Sequence, residues 1–113
     1  MIIEMQVYAA AKGRFAEMRN RLLKEAKPRL KHYGIEVLEV FNSVQSEDTL
    51  CYLAGSKNLE TLQAGWDGFS NDPRWLEIKA TSEKNGPLIA RKSSVILPDD
   101  MAEILMSTNQ KKL

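Results

Sequence analysis

The chain is expected to fold as an α+β domain, a four-stranded antiparallel sheet with its helices on one face. Three observations lead there. The candidate elements run strand, helix, strand, strand, helix, strand. The helical stretches space their apolar residues by threes and fours, whereas the strands alternate or are apolar throughout. The strands also carry apolar side chains on both faces, and the helices suffice to cover only one of them.

Each element can be justified in turn. In Ile2 to Ala9, the residues Ile3, Met5, Val7 and Ala9 face one way, and Ile2, Glu4, Gln6 and Tyr8 the other. This is a strand with one clean apolar face. Lys12-Gly13-Arg14 turns the chain into a long amphipathic helix whose stripe is Phe15, Met18, Leu22, Ala26, Leu30 and Tyr33. Pro28 should kink that helix, because it has no N–H to offer the carbonyl of Lys24. Gly34 supplies a C-terminal stop.

Ile35 to Val44 and Thr49 to Gly55, joined by Gln45-Ser46-Glu47-Asp48, form the expected hairpin. On simple alternation, Val37 and Phe41 share one face and Leu38, Val40 and Val44 the other. In the next strand Leu50 and Tyr52 oppose Cys51 and Leu53. Ser56 or Asn58 can cap a helix with Leu59, Leu62, Trp66 and Phe69 on its stripe. Asp72 then caps a second segment, with Pro73 in the first turn and Trp75 and Ile78 turned inward. Asn85-Gly86-Pro87 ends it, Leu88 to Leu97 is the last strand, and Pro98-Asp99-Asp100 opens a short helix through Met101, Ile104 and Leu105.

The order β-α-β-β-α-β is the ferredoxin-like one. Right-handed crossovers place both helical layers on the same face. The other face, being apolar, needs a cover larger than a soluble monomer can do without. Packing two sheets face to face supplies it, so the sequence predicts a homodimer, a dimeric α+β barrel. Glu4 and Arg91, on the neighbouring first and last strands, are candidates for a cross-strand pair inside that dimer.

Composition narrows the function. The 113 residues suit a single domain, 1–113. The 16 basic and 15 acidic residues leave a net charge of +1, no excess with which to neutralise phosphates, so nucleic acid is not an expected partner. No apolar run reaches the roughly 20 residues of a membrane span. With Cys51 as the only cysteine and no secretory pattern at Met1 to Gln6, the expectation is a cytoplasmic protein.

Several features together resemble the NIPSNAP family of the dimeric α+β barrel superfamily. They are Ile3-Glu4-Met5-Gln6-Val7-Tyr8 running to Lys12-Gly13, the helix end from Leu30 to Gly34, Asp72-Pro73-Arg74-Trp75, and the closing Leu97-Pro98. The resemblance covers Ile2 to about Pro98, with a departure at Gln6, where family members often carry arginine. It implies the same fold and a dimer, and it implies little about activity.

Self-sufficient catalytic motifs are missing. One histidine and one cysteine do not make a zinc set, Gly65 and Gly68 do not belong to a phosphate-binding loop, and no nucleophile elbow occurs. No metal or other cofactor is expected. His32 is the one side chain that ordinarily titrates near neutrality, and it is the candidate general base. Its plainer role is interaction with a helix C-terminus, since it falls off the apolar stripe. Cys51 reads more simply as a buried apolar residue than as a nucleophile. Tyr33, Trp66, Phe69 and Trp75 are the candidate ligand-binding residues, although aromatics at helical spacing also make ordinary core.

The expected function is therefore that of an uncharacterised NIPSNAP-like protein binding a small apolar or aromatic molecule between helices and sheet of a homodimeric barrel. A non-catalytic protein-interaction module is the alternative. A cofactor-free monooxygenase or isomerase, as in some relatives of the superfamily, is a further one.

Overall fold

The structure is a computed structural model and describes residues 1–98. The helix anticipated through Met101, Ile104 and Leu105 lies outside the described residues. The elements are β1 (Ile2–Ala10), a helix built of α1 (Phe15–Arg21), a π-helical segment (Leu22–Ala26) and α2 (Lys27–His32), then β2 (Glu36–Asn42), β3 (Thr49–Ser56), α3 (Leu59–Ser70), α4 (Pro73–Ser82) and β4 (Ile89–Ile96). The four strands form one sheet in the order β2-β3-β1-β4, with every neighbouring pair antiparallel. This is the ferredoxin-like βαββαβ fold. No helix among the described residues is long and apolar enough to cross a membrane.

Pro28 acts differently from the anticipated kink. It cannot supply the next hydrogen bond, and the helix widens just ahead of it, where the N–H of Lys27 reaches back five residues to the carbonyl of Leu22. The wider turn keeps Met18, Leu22, Ala26 and Leu30 buried and also brings Arg21 under cover. Gly34, at φ +79°, closes α2. There the Ile35 N–H bonds to the Leu30 carbonyl at 3.0 Å, the six-to-one bond of a Schellman stop.

Of the two possible caps for α3, Asn58 is the one used, its Oδ1 accepting from the Thr61 N–H at 2.8 Å. Ser56 instead donates to the carbonyl of Gly34 at 2.7 Å, tying β3 to the end of α2. Asp72 caps α4 through the Trp75 N–H at 2.9 Å, with Pro73 in the first turn.

The hydrophobic core lies between helices and sheet around Leu50, Tyr52, Ala54, Val37 and the first-helix stripe. Gln6 is in register with Tyr52, and Tyr8 packs against the core, so the mixed face of β1 is the one that meets the helices. Its clean apolar face, Met5 and Val7 beside Leu53 and Cys51, points away from them.

Simple alternation misplaces part of β2. The register shifts between Val37 and Glu39, which leaves Leu38 as an extra residue. After this bulge Val37 and Val40 both contact the core, while Phe41, paired with Cys51, lies on the second face and is 45% exposed. Val95, opposite Met5, is 50% exposed on the same face. No described element packs over this patch. Glu4 and Arg91 do not pair. Glu4 lies opposite Ile96 and Arg91 opposite Ala9, so the two sit towards opposite ends of the β1–β4 ladder.

Candidate functional site

Between the helical layer and the sheet is a cavity of about 400 Å³, within the range of small-molecule sites. Its floor is Tyr8 of β1 and Tyr52 of β3. The first helix contributes Arg21, Leu22 and Ala26 to its wall, and Trp66, Phe69 and Trp75 supply an aromatic side. Lys79, Glu83 and Lys92, from the end of α4 and the start of β4, complete the lining.

The aromatic wall is a packed unit. Phe69 and Trp75 lie 4.6 Å apart between centroids at 31°, and Trp66 meets Phe69 edge-on at 6.2 Å. Trp66 is held from the sheet. Its Nε1 donates to Glu4 Oε1 at 2.8 Å, and Gln6 Nε2 donates to the same oxygen at 2.6 Å. The buried Glu4 and Gln6 therefore orient an indole. Trp75 is only half-buried, packed on Phe69 with the Arg21 guanidinium 5.3 Å from its ring centroid.

The floor carries the polar groups. The hydroxyls of Tyr8 and Tyr52 are 2.7 Å apart, and their rings meet edge-on at 5.2 Å. Burial pushes the Tyr8 phenol above 10.0 and the Tyr52 phenol well above it, so both stay protonated at neutral pH. One phenol proton is spent in the mutual bond. The other finds no acceptor among the described residues and can be donated to a bound oxygen.

Arg21 is 8% exposed. Its Nη1 donates to Glu83 Oε2 at 2.7 Å and to Ser82 Oγ at 3.0 Å. The cation is thus tied to the end of α4 while it lines the cavity.

Trp66, Phe69 and Trp75 come together in this wall, whereas Tyr33 is outside the lining. Tyr33 backs Phe69 edge-on at 6.5 Å and donates its phenol proton to Asp72 Oδ2. His32, exposed at the end of α2, is also outside it. Cys51 is a half-buried free thiol on the far face of the sheet. No group of histidine, cysteine and carboxylate side chains among the described residues is placed to hold a metal.

Sequence reasoning missed Arg21, Tyr8 and Tyr52 as site residues. A signal was present in β1, whose Glu4, Gln6 and Tyr8 make a polar face that must face water, a partner or a polar-lined cavity. Arg21 gave a weaker sign, as a charge three residues after Met18 on the buried side of a helix.

The Asp72–Tyr33 bond has a pH signature. Accepting from Tyr33, and then from the Trp75 N–H, holds the Asp72 carboxyl below its ordinary 3.8. A lowered carboxyl contributes stability that is present above 3.8 and is lost as pH falls through the folded-state value. Tyr33→Phe should therefore lower the melting temperature at neutral pH, with the gap to wild type closing in acid. A gap that stays constant through pH 3.8 and below would show that Asp72 does not gain from the phenol.

The fold is shared with solved structures of the NIPSNAP family. An uncharacterised NIPSNAP domain protein from Burkholderia xenovorans matches with a TM-score of 0.71 at 15% identity, over 87% of this chain and 93% of that one. A NIPSNAP family protein from Agrobacterium tumefaciens matches at 0.72 with 16% identity, over 86% and 90%. An antibiotic biosynthesis monooxygenase-like protein from Deinococcus radiodurans matches at 0.61 with 15% identity, over 87% and 91%. These are the α+β barrel architectures that the β-α-β-β-α-β order predicts. No protein-family model and no curated protein matches the chain.

Proposed function

We propose that the protein is a homodimeric α+β barrel that binds a small aromatic molecule in the cavity between its helices and its sheet. The observation that carries this reading is the cavity's make-up. An aromatic wall faces a floor of two buried neutral phenols with one proton to spare, a combination that a plain core has no need of. The fold likeness to NIPSNAP proteins and to a monooxygenase-like protein is compatible with the reading and does not specify a ligand. The dimer rests on the second sheet face, where Met5, Val7, Leu53, Phe41 and Val95 form an apolar surface.

Trp66 and Trp75 are the chain's two tryptophans, and both line the cavity, so their indole N–H resonances report its occupancy directly. Titration with 2-naphthol should shift both signals. Ala26→Leu, which adds volume inside the cavity, should weaken binding at least about tenfold while leaving the circular dichroism spectrum unchanged. Unshifted indole signals at saturating 2-naphthol, or equal binding by the folded variant, would overturn the ligand reading. His32 is outside the lining and has no part in this binding.

A further inference from the structure

We infer that the cavity is built for an aromatic acid, a flat ring system bearing a carboxylate, with its ring against the aromatic wall and its carboxylate on Arg21. This rests on the ligand reading above and deepens it. Arg21 presents an unused edge. All its hydrogen bonds to described residues leave from Nη1, so Nε and Nη2 are uncommitted. No described side-chain polar atom is both sealed from solvent and unpartnered, so these two nitrogens are reached by solvent. The Nε–Nη2 edge is a fork matched to the two oxygens of a carboxylate. The guanidinium lies over the Trp75 ring, 5.3 Å from its carbon to the centroid, so a carboxylate held by Arg21 would keep its ring next to the aromatic wall.

The charge around the cavity agrees. Three cationic side chains are on the cavity's side, Arg21, Lys79 and Lys92, against the single anion Glu83 of the lining, while Arg91, in register with Ala9, turns its charge to the far face. The chain as a whole has a net charge of only +1, so the positive charge is concentrated here. Lys92 lies over the Tyr8 ring at 6.0 Å, close to the floor as well as to the surface. A cationic ligand would enter against this field, and a hydrocarbon would leave the Arg21 edge and the spare phenol proton unmet. An aromatic carboxylate answers both.

The test compares 2-naphthoate with 2-naphthamide, the same ring and nearly the same shape without the charge. Calorimetry on the wild-type protein should show the acid binding at least about tenfold more tightly than the amide, with the difference shrinking as salt is raised. The Arg21 Nε–H resonance should move with the acid and stay in place with the amide. Removing both members of the ion pair, Arg21→Gln with Glu83→Gln, should abolish the preference, read as an acid-to-amide affinity ratio that falls to within about twofold of one. Lys92→Gln, at an exposed position, should reduce the preference without touching folding.

Equal affinities in the wild type, or an unmoved Arg21 signal at saturating naphthoate, would overturn this inference and leave the ligand reading standing. A preference that survives both the double variant and Lys92→Gln would also overturn it. Binding of neither compound would overturn the ligand reading itself.

Discussion

In the proposed homodimer, Leu53→Glu is expected to give a soluble monomer that keeps its fold. Leu53 lies on the central strand β3, in register with Met5 on one side and Glu39 on the other, on the face turned away from the helices. Across a two-fold interface the substitution is made twice, on the same self-complementary surface. Each added carboxylate must be desolvated next to apolar side chains, and within its own sheet it lies beside the carboxylate of Glu39. A loss of about 4 kcal/mol, roughly a thousandfold in dimer affinity, is a modest expectation for two such groups. Sedimentation velocity at micromolar protein measures it directly. A monomeric wild type would sink the dimer, and so would a variant that stays dimeric. Val40 and Tyr52 do not serve as such probes, since both contact the core on the helix side and charges there would unfold the chain instead.

The second large effect is expected at Gly65. A side chain at this position would meet the carbonyl oxygen of Tyr33 at 2.5 Å and two carbons of Ile35 at 2.9 Å. The carbonyl belongs to the closing turn of α2, which the Schellman bond and Gly34 hold in place, so it cannot swing aside as a flexible side chain would. Alanine in mid-helix would normally gain about 1 kcal/mol over glycine. Here the clash requires α3 to lift away from α2, and overpacking of this kind costs about 1–3 kcal/mol. Gly65→Val adds further bulk and poor helix propensity, so a loss of about 3 kcal/mol or more is expected. Gly68 is a milder case, because its contact at 2.7 Å is with the Tyr33 ring. The predicted order of destabilisation is Gly65→Val, Gly65→Ala, Gly68→Ala, read as urea midpoints. A midpoint for Gly65→Ala at or above wild type would show that α3 and α2 are not so closely packed. Binding should fall with stability at Gly65, since lifting α3 moves Trp66 and Phe69 off the cavity.

These two effects show where sequence reasoning reached and where it stopped. Gly65 and Gly68 read only as glycines inside a helical pattern, because sequence spacing says nothing about which element lies across from them. Their reason is the neighbouring end of α2. The β2 assignment failed at one residue. The bulge at Leu38 reverses the facing of everything after it, and no turn residue or glycine announces it. Pro28 was readable as a disturbance, but widening the helix was the response that kept both Leu22 and Arg21 inside.

Local chemistry in the sequence determined the elements, their order and their caps. Asn58, Asp72, Pro73, Gly34 and the apolar periodicities act within a few residues of themselves, and so they are visible without the fold. The same alternation showed a surplus of apolar strand face over helix, which already called for a second sheet. Only the tertiary structure decided which face of β1 met the helices. It turned Met5 and Val7 away from the helices and brought Glu4, Gln6 and Tyr8 towards them. The physical reason is that an apolar sheet face is well served by another apolar sheet, whereas the polar face is satisfied inside. There Trp66 and Gln6 bond to Glu4, and Tyr8 bonds to Tyr52. Pairings between residues up to 62 positions apart carry no periodic signal, so the cavity, its phenol pair and its arginine became visible only when the chain had closed around them.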